Sequence, residues 1–306
     1  MTRPPNQPLR IGTRGSPLAL AQARLVADAL MAAHGWTEDA IEIVPITTTG
    51  DVVQDRPLAE IGGKALWTKE LERALLDGRT DISVHSMKDV ETLRPEGLAI
   101  VAMLPRADPG DRLIGAESIG ALRQNARVGT SSPRRAAQLL ARRPDLRIAP
   151  IRGNVQTRLA KIDAGDFDAT LLAAAGLDRL GIQAGVAIED MLTAPGQGAI
   201  GIEADGARTD LRALLTAIDH RATHLCVDAE RAFLDALGGD CHSAVSARAS
   251  SDGDKLRIEA EILSADGAEV QRVAITLHAV NAPSPADVAK ILLERASPAL
   301  RAMFRA

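Results

Sequence analysis

The stretch Val128-Gly129-Thr130-Ser131-Ser132-Pro133-Arg134-Arg135 marks the end of a strand and the start of a helix. Its last serine is a favourable N-cap and its proline a favourable first helical residue, so a helix is expected to begin here. The two arginines then occupy the first turn, where the helix dipole is already positive. Because this arrangement costs stability unless an anion lies nearby, the stretch predicts an anion-binding site.

The same order of strand, polar residue and helix recurs along the chain. Functional residues of open α/β sheets lie beyond the carboxyl ends of strands, and arginine forks match carboxylates bidentately. Any one arginine near a helix start is more often a solvated surface residue, but the recurrence favours one shared site for a small, highly anionic ligand. The candidate set comprises Arg14, Ser16, Lys88, Thr130, Ser131, Ser132, Arg134, Arg135, Arg152, Arg158 and Arg179.

Strands and helices alternate in both halves of the chain, which predicts two similar α/β domains with mostly parallel sheets. Polar segments with proline and glycine indicate where the chain passes from one domain to the other. Towards the end, apolar runs joined by a turn predict antiparallel strands with a helix behind them. We therefore predict a discontinuous domain 1 over residues 1–105 and 199–222, domain 2 over 106–198, and an α+β C-terminal domain over 223–306. The site is expected in a cleft between the two α/β domains.

Composition narrows the class of ligand. The chain has 306 residues, of which 46% are hydrophobic and 25% charged, as in an ordinary globular protein. Aromatic residues make up only 2%, which argues against stacking on single-stranded nucleic acid, and a net charge of −4 leaves no basic field for DNA or a membrane surface. No apolar run resembles a signal peptide or a membrane span, so we expect a cytoplasmic protein that binds neither nucleic acid nor membrane.

Asp89 and Cys241 are the further candidates for chemistry. Asp89 follows Lys88 beyond a predicted strand, where a carboxylate could stabilise a cationic nitrogen or transfer a proton. It could equally be an ordinary aspartate favoured by a helix dipole. Cys241 lies among small residues that leave a thiol accessible for covalent chemistry, although a buried cysteine acting as a small hydrophobe is the alternative.

A metal site is not predicted. His220 and His224 have the i,i+4 spacing of a helical metal pair, but no glutamate completes a zinc-protease motif between them. The ligand count and the supporting residues of such a site are therefore both lacking.

Several ordered motifs occur along the chain between Ile11 and Ala199. They are Ile11–Leu20, Val84–Asp89, Val128–Ser132 with Arg134 and Arg135, Arg152–Asn154 with Arg158, Ala175–Leu177 with Arg179, and Gly196–Ala199. In these motifs the sequence resembles the porphobilinogen deaminase family, also called hydroxymethylbilane synthases. The resemblance implies a monomeric transferase of haem and tetrapyrrole biosynthesis. It would join four porphobilinogen molecules head to tail into hydroxymethylbilane, with release of ammonia.

The resemblance also implies roles for individual residues. Cys241 would hold a dipyrromethane cofactor through a thioether, and Asp89 would contact the pyrrole nitrogens and assist proton transfer. The remaining cofactor contacts would be Lys88, Thr130, Ser131, Ser132, Arg134, Arg135 and Gly153. The incoming substrate or growing chain would be bound by Arg14, Ser16, Gln22, Arg152, Arg158 and Arg179. Four positions depart from the family pattern. They are Thr49, Glu60 and Trp67, and also Asp240 in the loop Gly239-Asp240-Cys241, where Gly-Gly-Cys is commoner.

One rival function suits the same fold class. Two similar periplasmic-binding-protein-like α/β domains with a hinge, plus a small α+β C-terminal domain of antiparallel sheet and helices, could also form a two-lobed anion-binding or sensor protein without catalysis. Such a protein would need neither Cys241 nor a third domain. An ATP-dependent enzyme is not favoured, because Gly62–Lys64 lacks the full spacing of a phosphate-binding loop.

Overall fold

The structure is a computed structural model that describes residues 7–47, 68–239, 243–253, 255–278 and 283–304. The chain divides into two compact units, of which the first comprises Met1–Ala107 and Ala199–His224 and the second Asp108–Gly198 and Leu225–Ala306. The boundaries of the three domains stay a prediction. Within the described ranges no helix is both long and apolar enough to cross a membrane.

Strands and α-helices alternate over part of the described chain, whereas the third to sixth strands and the last three strands follow one another with no α-helix between them. The described strands are β1 (Leu9–Arg14), β2 (Ile41–Ile46), β3 (Ile82–Ser86), β4 (Leu98–Met103), β5 (Asp111–Ile114), β6 (Arg127–Gly129), β7 (Arg147–Ala149), β8 (Ala169–Ala173), β9 (Val186–Ile188), β10 (Ile200–Asp205), β11 (Ala244–Asp252), β12 (Lys255–Leu263) and β13 (Val270–His278). The described α-helices are α1 (Pro17–His34), α2 (Lys69–Leu76), α3 (Pro133–Arg142), α4 (Val155–Asp163), α5 (Ala174–Arg179), α6 (Thr209–Thr216), α7 (Arg221–Ala236), α8 (Pro285–Arg295) and α9 (Pro298–Arg301). Short 3-10 turns are formed by Glu38–Ala40 and Met87–Asp89.

The first unit is built on a mixed sheet whose described strands have the order β2-β1-β3-β10-β4. Strand β1 runs parallel to β2 and β3, whereas β10 is antiparallel to both of its neighbours. Fully buried Ile11, Ile82 and Ile202 of the sheet pack with Leu30 of α1 in one hydrophobic core. Helix α1 can cover the sheet because its buried positions recur at helical spacing.

The second unit repeats this arrangement in a sheet with the described order β7-β6-β8-β5-β9. Strand β6 is parallel to β7 and β8, and β5 is antiparallel to β8 and β9. The mixed α/β class and the prediction of mostly parallel sheets are confirmed. In each sheet four of the five described strands run in one direction, and only β10 or β5 runs against them. Strands β5 and β10 each follow a passage of the chain from one unit to the other. The sequence of β10, Ile-Gly-Ile-Glu-Ala-Asp, carries no signal that this strand runs against its neighbours.

A three-stranded antiparallel sheet, β11-β12-β13, also lies in the second unit among its described residues. The sequence does not predict strand β11, because its buried side chains are mostly alanine and serine and give little apolar alternation. One hydrophobic core joins this sheet to the helices around it, with Phe233 of α7, Leu292 of α8 and Leu300 of α9 packed beside Ile258.

Helix α3 packs directly against this antiparallel sheet. The amide nitrogen of Gln138 donates to Glu261 Oε1 at 2.7 Å and lies 3.0 Å from Ser246 Oγ. The turn between β12 and β13 also meets the helix, since a Cβ on Gly267 would lie 2.3 Å from the backbone nitrogen of Ala141. The helix that bears the two arginines is thus fixed on one side by the antiparallel sheet.

The two hairpin glycines provide a matched test of this packing. Gly267 and Gly253 both have a positive φ, at 72° and 58°, but nothing lies within 4 Å of a Cβ placed on Gly253. Both alanine substitutions should cost about 1–2 kcal/mol for the left-handed backbone. Gly267→Ala should cost about 1–3 kcal/mol more, because it overpacks the contact with α3. Denaturant unfolding of the two variants checks this, and equal losses would contradict the close packing.

Candidate functional site

In the first unit, the predicted residues follow the carboxyl ends of β1 and β3. Arg14 ends β1, and Ser16 caps α1 by accepting a hydrogen bond from the Ala19 amide at 3.3 Å. Pro17 begins the helix, as the sequence predicts. The cap is local in origin, since a serine followed by a proline both satisfies a helix amide and presets the first helical φ.

A small cavity of about 70 Å³ brings several of these side chains together. Arg14, Ser16, Gln22 and Asp89 all line it, with Ser86 at the end of β3 beside them. The amide nitrogen of Gln22 donates to Ser86 Oγ at 2.8 Å, which joins α1 to β3 at the cavity wall. An arginine, a carboxylate, a hydroxyl and an amide therefore converge in one pocket.

The 3-10 turn Met87–Asp89 carries Lys88 and Asp89 directly beyond β3. The amide of Met87 donates to the carbonyl of Ala199 at 3.1 Å, and the amide of Val90 donates back to the carbonyl of Met87. Asp89 is thereby placed beside the cavity by a turn that is hydrogen-bonded at both ends.

In the second unit, the stretch after β6 has the capped start that the sequence predicts. Ser132 accepts a hydrogen bond from the Arg135 amide, and Thr130 Oγ1 accepts one from the Ser132 amide at 3.1 Å. Ser131 donates to the carbonyl of Ile151 at 2.8 Å, which ties this loop to the segment after β7. Since the hydroxyl of Thr130 accepts one hydrogen bond, it can donate another to a bound acceptor.

Arg134 and Arg135 have a counterion that the sequence analysis missed. Asp111, the first residue of β5, lies 2.7 Å from a terminal guanidinium nitrogen of each arginine. The two arginines are only 4% and 7% exposed, and Asp111 is 1% exposed. The interpretation that their charge is unopposed without a bound anion is therefore wrong, because one carboxylate of the chain already offsets half of it.

The ionisation of this trio follows from its geometry. Burial by itself would raise the pKa of the Asp111 carboxyl, but the charges of Arg135 and Arg134 and their hydrogen bonds outweigh it, so the pKa lies well below its ordinary value. Burial lowers the pKa of the Arg134 guanidinium, yet an arginine stays charged in proteins. The trio by itself has one surplus positive charge beside the first turn of α3, and the buried carboxylate of Glu261, linked to Arg134 through Gln138, attracts it.

Two further strand ends supply the remaining arginines. Between β7 and α4 lie Arg152 and Gly153, and the Arg158 guanidinium donates to the carbonyl of Gly153 at 2.9 Å. Gly153 is required there, because its φ is 107° and a Cβ would lie 2.6 Å from Thr157 Cγ2. Arg179 ends α5 and donates to the carbonyl of Gly198 at 2.7 Å. Burial lowers the pKa of the Arg179 guanidinium, and the attraction of Asp178 only partly offsets this.

Some predicted residues cannot be placed. Cys241 lies outside the described residues, as do the positions Thr49, Glu60, Trp67 and Asp240. His220 and His224 have the spacing of a metal pair. Nδ1 of His220 lies 2.8 Å from Thr223 Oγ1, and Nδ1 of His224 lies 2.8 Å from Asp219 Oδ1. Across the described ranges no cluster of three or more histidine, cysteine, aspartate or glutamate side chains has the arrangement of a metal site.

The donor set in the second unit fits an anionic group that carries several carboxylates. It combines the hydroxyls of Thr130 and Ser131, the capped start of α3 and the surplus charge of the arginine trio. Guanidiniums with hydroxyls and helix amides are the groups that bind carboxylates in proteins. The cavity of the first unit is lined by a further guanidinium, that of Arg14, and by the carboxylate of Asp89, an acidic group among otherwise basic and polar candidates.

Comparison with known proteins agrees with these features. A family model described as porphobilinogen deaminase, dipyromethane cofactor binding domain, matches residues 9–213, and the porphobilinogen deaminase C-terminal domain matches residues 224–296. A curated porphobilinogen deaminase of Sphingopyxis alaskensis is 56% identical over 98% of this chain and 98% of its own. One of Paracoccus denitrificans is 54% identical over 87% of each chain.

Among solved structures, the VFT2 domain of Bordetella pertussis BvgS aligns with 74% of this chain and 90% of its own. The sequence identity is 15% and the TM-score 0.41. At that TM-score the likeness adds nothing to the topology described above.

The arginine trio predicts a pH-dependent loss of stability. Asp111→Asn should lower the free energy of unfolding by about 3–5 kcal/mol at pH 7, because it leaves two buried guanidiniums without their carboxylate. A carboxyl whose folded pKa is lowered stabilises fully above its unfolded pKa of about 3.9, and this contribution is lost as the pH falls through the folded value. The difference between wild type and variant should therefore shrink below about pH 4. Denaturant unfolding at pH 7 and pH 3.5 tests this; a constant difference would contradict it.

Proposed function

The chain belongs to the porphobilinogen deaminase family, and from that premise we propose how its residues divide the work. The protein is a transferase of tetrapyrrole biosynthesis that joins four porphobilinogen molecules head to tail into hydroxymethylbilane, with release of ammonia. It does so on a covalently attached dipyrromethane primer. The observation that carries the residue-level proposal is the cavity where Asp89 meets Arg14, Ser16 and Gln22.

Asp89 is the catalytic residue in this proposal. Loss of ammonia from porphobilinogen leaves a cationic carbon conjugated to a pyrrole nitrogen, and each coupling then requires a proton to leave a pyrrole ring. A carboxylate beside the ring nitrogen stabilises that cation and can move the proton. The support for this role is its position in the hydrogen-bonded turn beyond β3, at the wall of the cavity.

Binding of the substrate chain and of the primer is divided between two sets of residues. The incoming pyrrole and the growing chain are bound through their acetate and propionate groups by Arg14, Ser16, Gln22, Arg152, Arg158 and Arg179. The primer is held by Cys241, Lys88, Asp89, Thr130, Ser131, Ser132, Arg134, Arg135 and Gly153. Arg134 and Arg135 provide the surplus charge described above, while their ion pairs to Asp111 hold α3 in place.

When bound, the dipyrromethane supplies the pyrrole end to which the first substrate is joined. The protein groups around it then have two tasks, which are to hold carboxylates and to place Asp89. Each added pyrrole brings two carboxylates, so a chain with a net charge of −4 still needs many arginines at its site.

We also propose that the protein acts as a cytoplasmic monomer with the three domains 1–105 with 199–222, 106–198 and 223–306. In support of the boundary before the third domain, the match to the cofactor-binding domain ends at residue 213 and the match to the C-terminal domain begins at residue 224. A two-lobed anion-binding protein without catalysis is not favoured, since the family matches extend over both the cofactor-binding and the C-terminal domains.

The attachment of the primer can be tested by mass. Protein produced in cells that make porphobilinogen should carry, after denaturation, an added mass corresponding to two pyrrole units. Cys241→Ser should lack this mass, because no thioether can form, whereas Cys226→Ser should keep it. Wild-type protein without the adduct, or a Cys241→Ser variant that retains it, would contradict the assignment.

Asp89→Asn should keep the covalent adduct but lose about 10²–10⁴-fold in kcat, the usual range for a general acid or base. Steady-state assays of hydroxymethylbilane formation measure this. Asp163→Asn, which changes an exposed carboxylate at the end of α4, is the matched control and should leave kcat unchanged. Near-normal turnover of Asp89→Asn would remove this residue from the mechanism.

A further inference from the structure

A buried cluster of charged groups in the first unit has no place in the chemistry above. Its centre is Glu203 of β10, which is 0% exposed. Glu203 Oε2 lies 3.0 Å from His85 Nε2, and Glu203 Oε1 accepts from Arg94 Nε at 2.8 Å and lies 2.7 Å from Arg94 Nη2. Arg94 also donates to Glu72 of α2 at 2.6 Å.

The two partners of Glu203 flank the turn that carries Asp89. His85 lies in β3, four residues before Asp89, and Arg94 lies five residues after it. Each oxygen of the same carboxylate therefore binds one flank of the segment. Because a carboxylate that is ionised can only accept, Nε2 of His85 carries the hydrogen of this bond.

Strand β10 contacts the turn at two further points. The carbonyl of Ala199, directly before β10, accepts from the Met87 amide. Gly201 leaves room for the Met87 side chain, since a Cβ there would lie 2.1 Å from Met87 Sδ. Residues 199, 201 and 203 thus contact the turn, its buried methionine and both of its flanks.

The charge on Glu203 is maintained by these partners. Burial alone would raise the pKa of the Glu203 carboxyl, but the hydrogen bond and charge of His85 and the charge of Arg94 lower it below its ordinary value. Removal of one partner from a buried ion pair is costly, because the other is left in a medium of low polarity. The cluster therefore resists rearrangement.

We propose that Glu203 is a positioning residue for Asp89, binding both flanks of the segment 85–94 so that the carboxylate of Asp89 stays fixed at the cavity. The inference rests on the proposed function of Asp89 and adds the residues that place it. A displacement of about 1 Å in a reacting group can cost 10²-fold in rate, so a turn of three residues needs support of this kind.

The test compares Glu203→Gln with Asp81→Asn. Glutamine keeps the size of the side chain but removes the charge that binds His85 and Arg94. Asp81, directly before β3, pairs with Arg10 at 3.0 Å at the other end of the same strand, so its variant controls for a lost ion pair. Both proteins are first checked for retention of the covalent primer by mass.

In Glu203→Gln, amide hydrogen exchange of residues 87–94 should become severalfold faster, kcat should fall about 10- to 100-fold, and KM should change less than about threefold. Asp81→Asn should leave kcat and the exchange of this segment unchanged. On an Asp89→Asn background, Glu203→Gln should reduce kcat by less than about twofold, because both changes act through one carboxylate.

The outcomes distinguish the positioning role of Glu203 from the catalytic role of Asp89. Unchanged exchange and kcat in Glu203→Gln, or equal losses in Asp81→Asn, would overturn the positioning role, as would an additive loss in the double variant. Normal turnover of Asp89→Asn would instead overturn the proposed catalytic role of Asp89, on which this inference rests. If Glu203→Gln does not fold, Arg94→Met releases one flank while His85 stays bound, and the same exchange and kcat criteria decide.

Discussion

One carboxylate, that of Asp111, holds together much of what surrounds the arginine-bearing helix. It pairs with Arg134 and Arg135, and its Oδ1 accepts a hydrogen bond from the side-chain nitrogen Nε2 of Gln197 at 2.8 Å. Arg135 reaches on to the carbonyl of Leu171 in β8. Because burial of three charges is tolerated only when each has its partner, this set of contacts fixes helix, sheet and connecting segment relative to one another within the second unit.

The two α/β sheets share one arrangement of a reversed strand and a buried carboxylate. Each contains one antiparallel strand that directly follows a passage of the chain between units, and each such strand carries a buried carboxylate bound to arginine. Asp111 on β5 supports the first turn of α3, and Glu203 on β10 binds the flanks of the turn beyond β3. In our proposal neither Asp111 nor Glu203 contacts a ligand. Each instead binds residues of the segment that carries the ligand-binding or catalytic side chains of its unit.

Local chemistry accounts for what could be predicted. Ser16 and Ser132 cap their helices as expected, since a cap depends on neighbouring residues in the chain. The convergence of Arg14, Ser16 and Asp89 follows from the rule that strand ends of one sheet meet at one edge, whereas Gln22, inside α1, is expected only from the family resemblance. Pairings across the sheet were not predictable in the same way. With 40 acidic residues in the chain, nothing local distinguishes Asp111 as the counterion, because its pairing depends on the antiparallel placement of β5 beside β8.

The order of strands has a consequence for synthesis on the ribosome. Strand β10 lies between β3 and β4, so the first sheet lacks an inner strand until residue 205 has been made. Gln138 of α3 can contact Ser246 and Glu261 only after β11 and β12 of the C-terminal sheet have been synthesised. Neither unit can therefore complete its buried contacts early. The first requires β10 and the second requires β12, and until these strands have been made the nascent chain exposes apolar surface that the folded units bury.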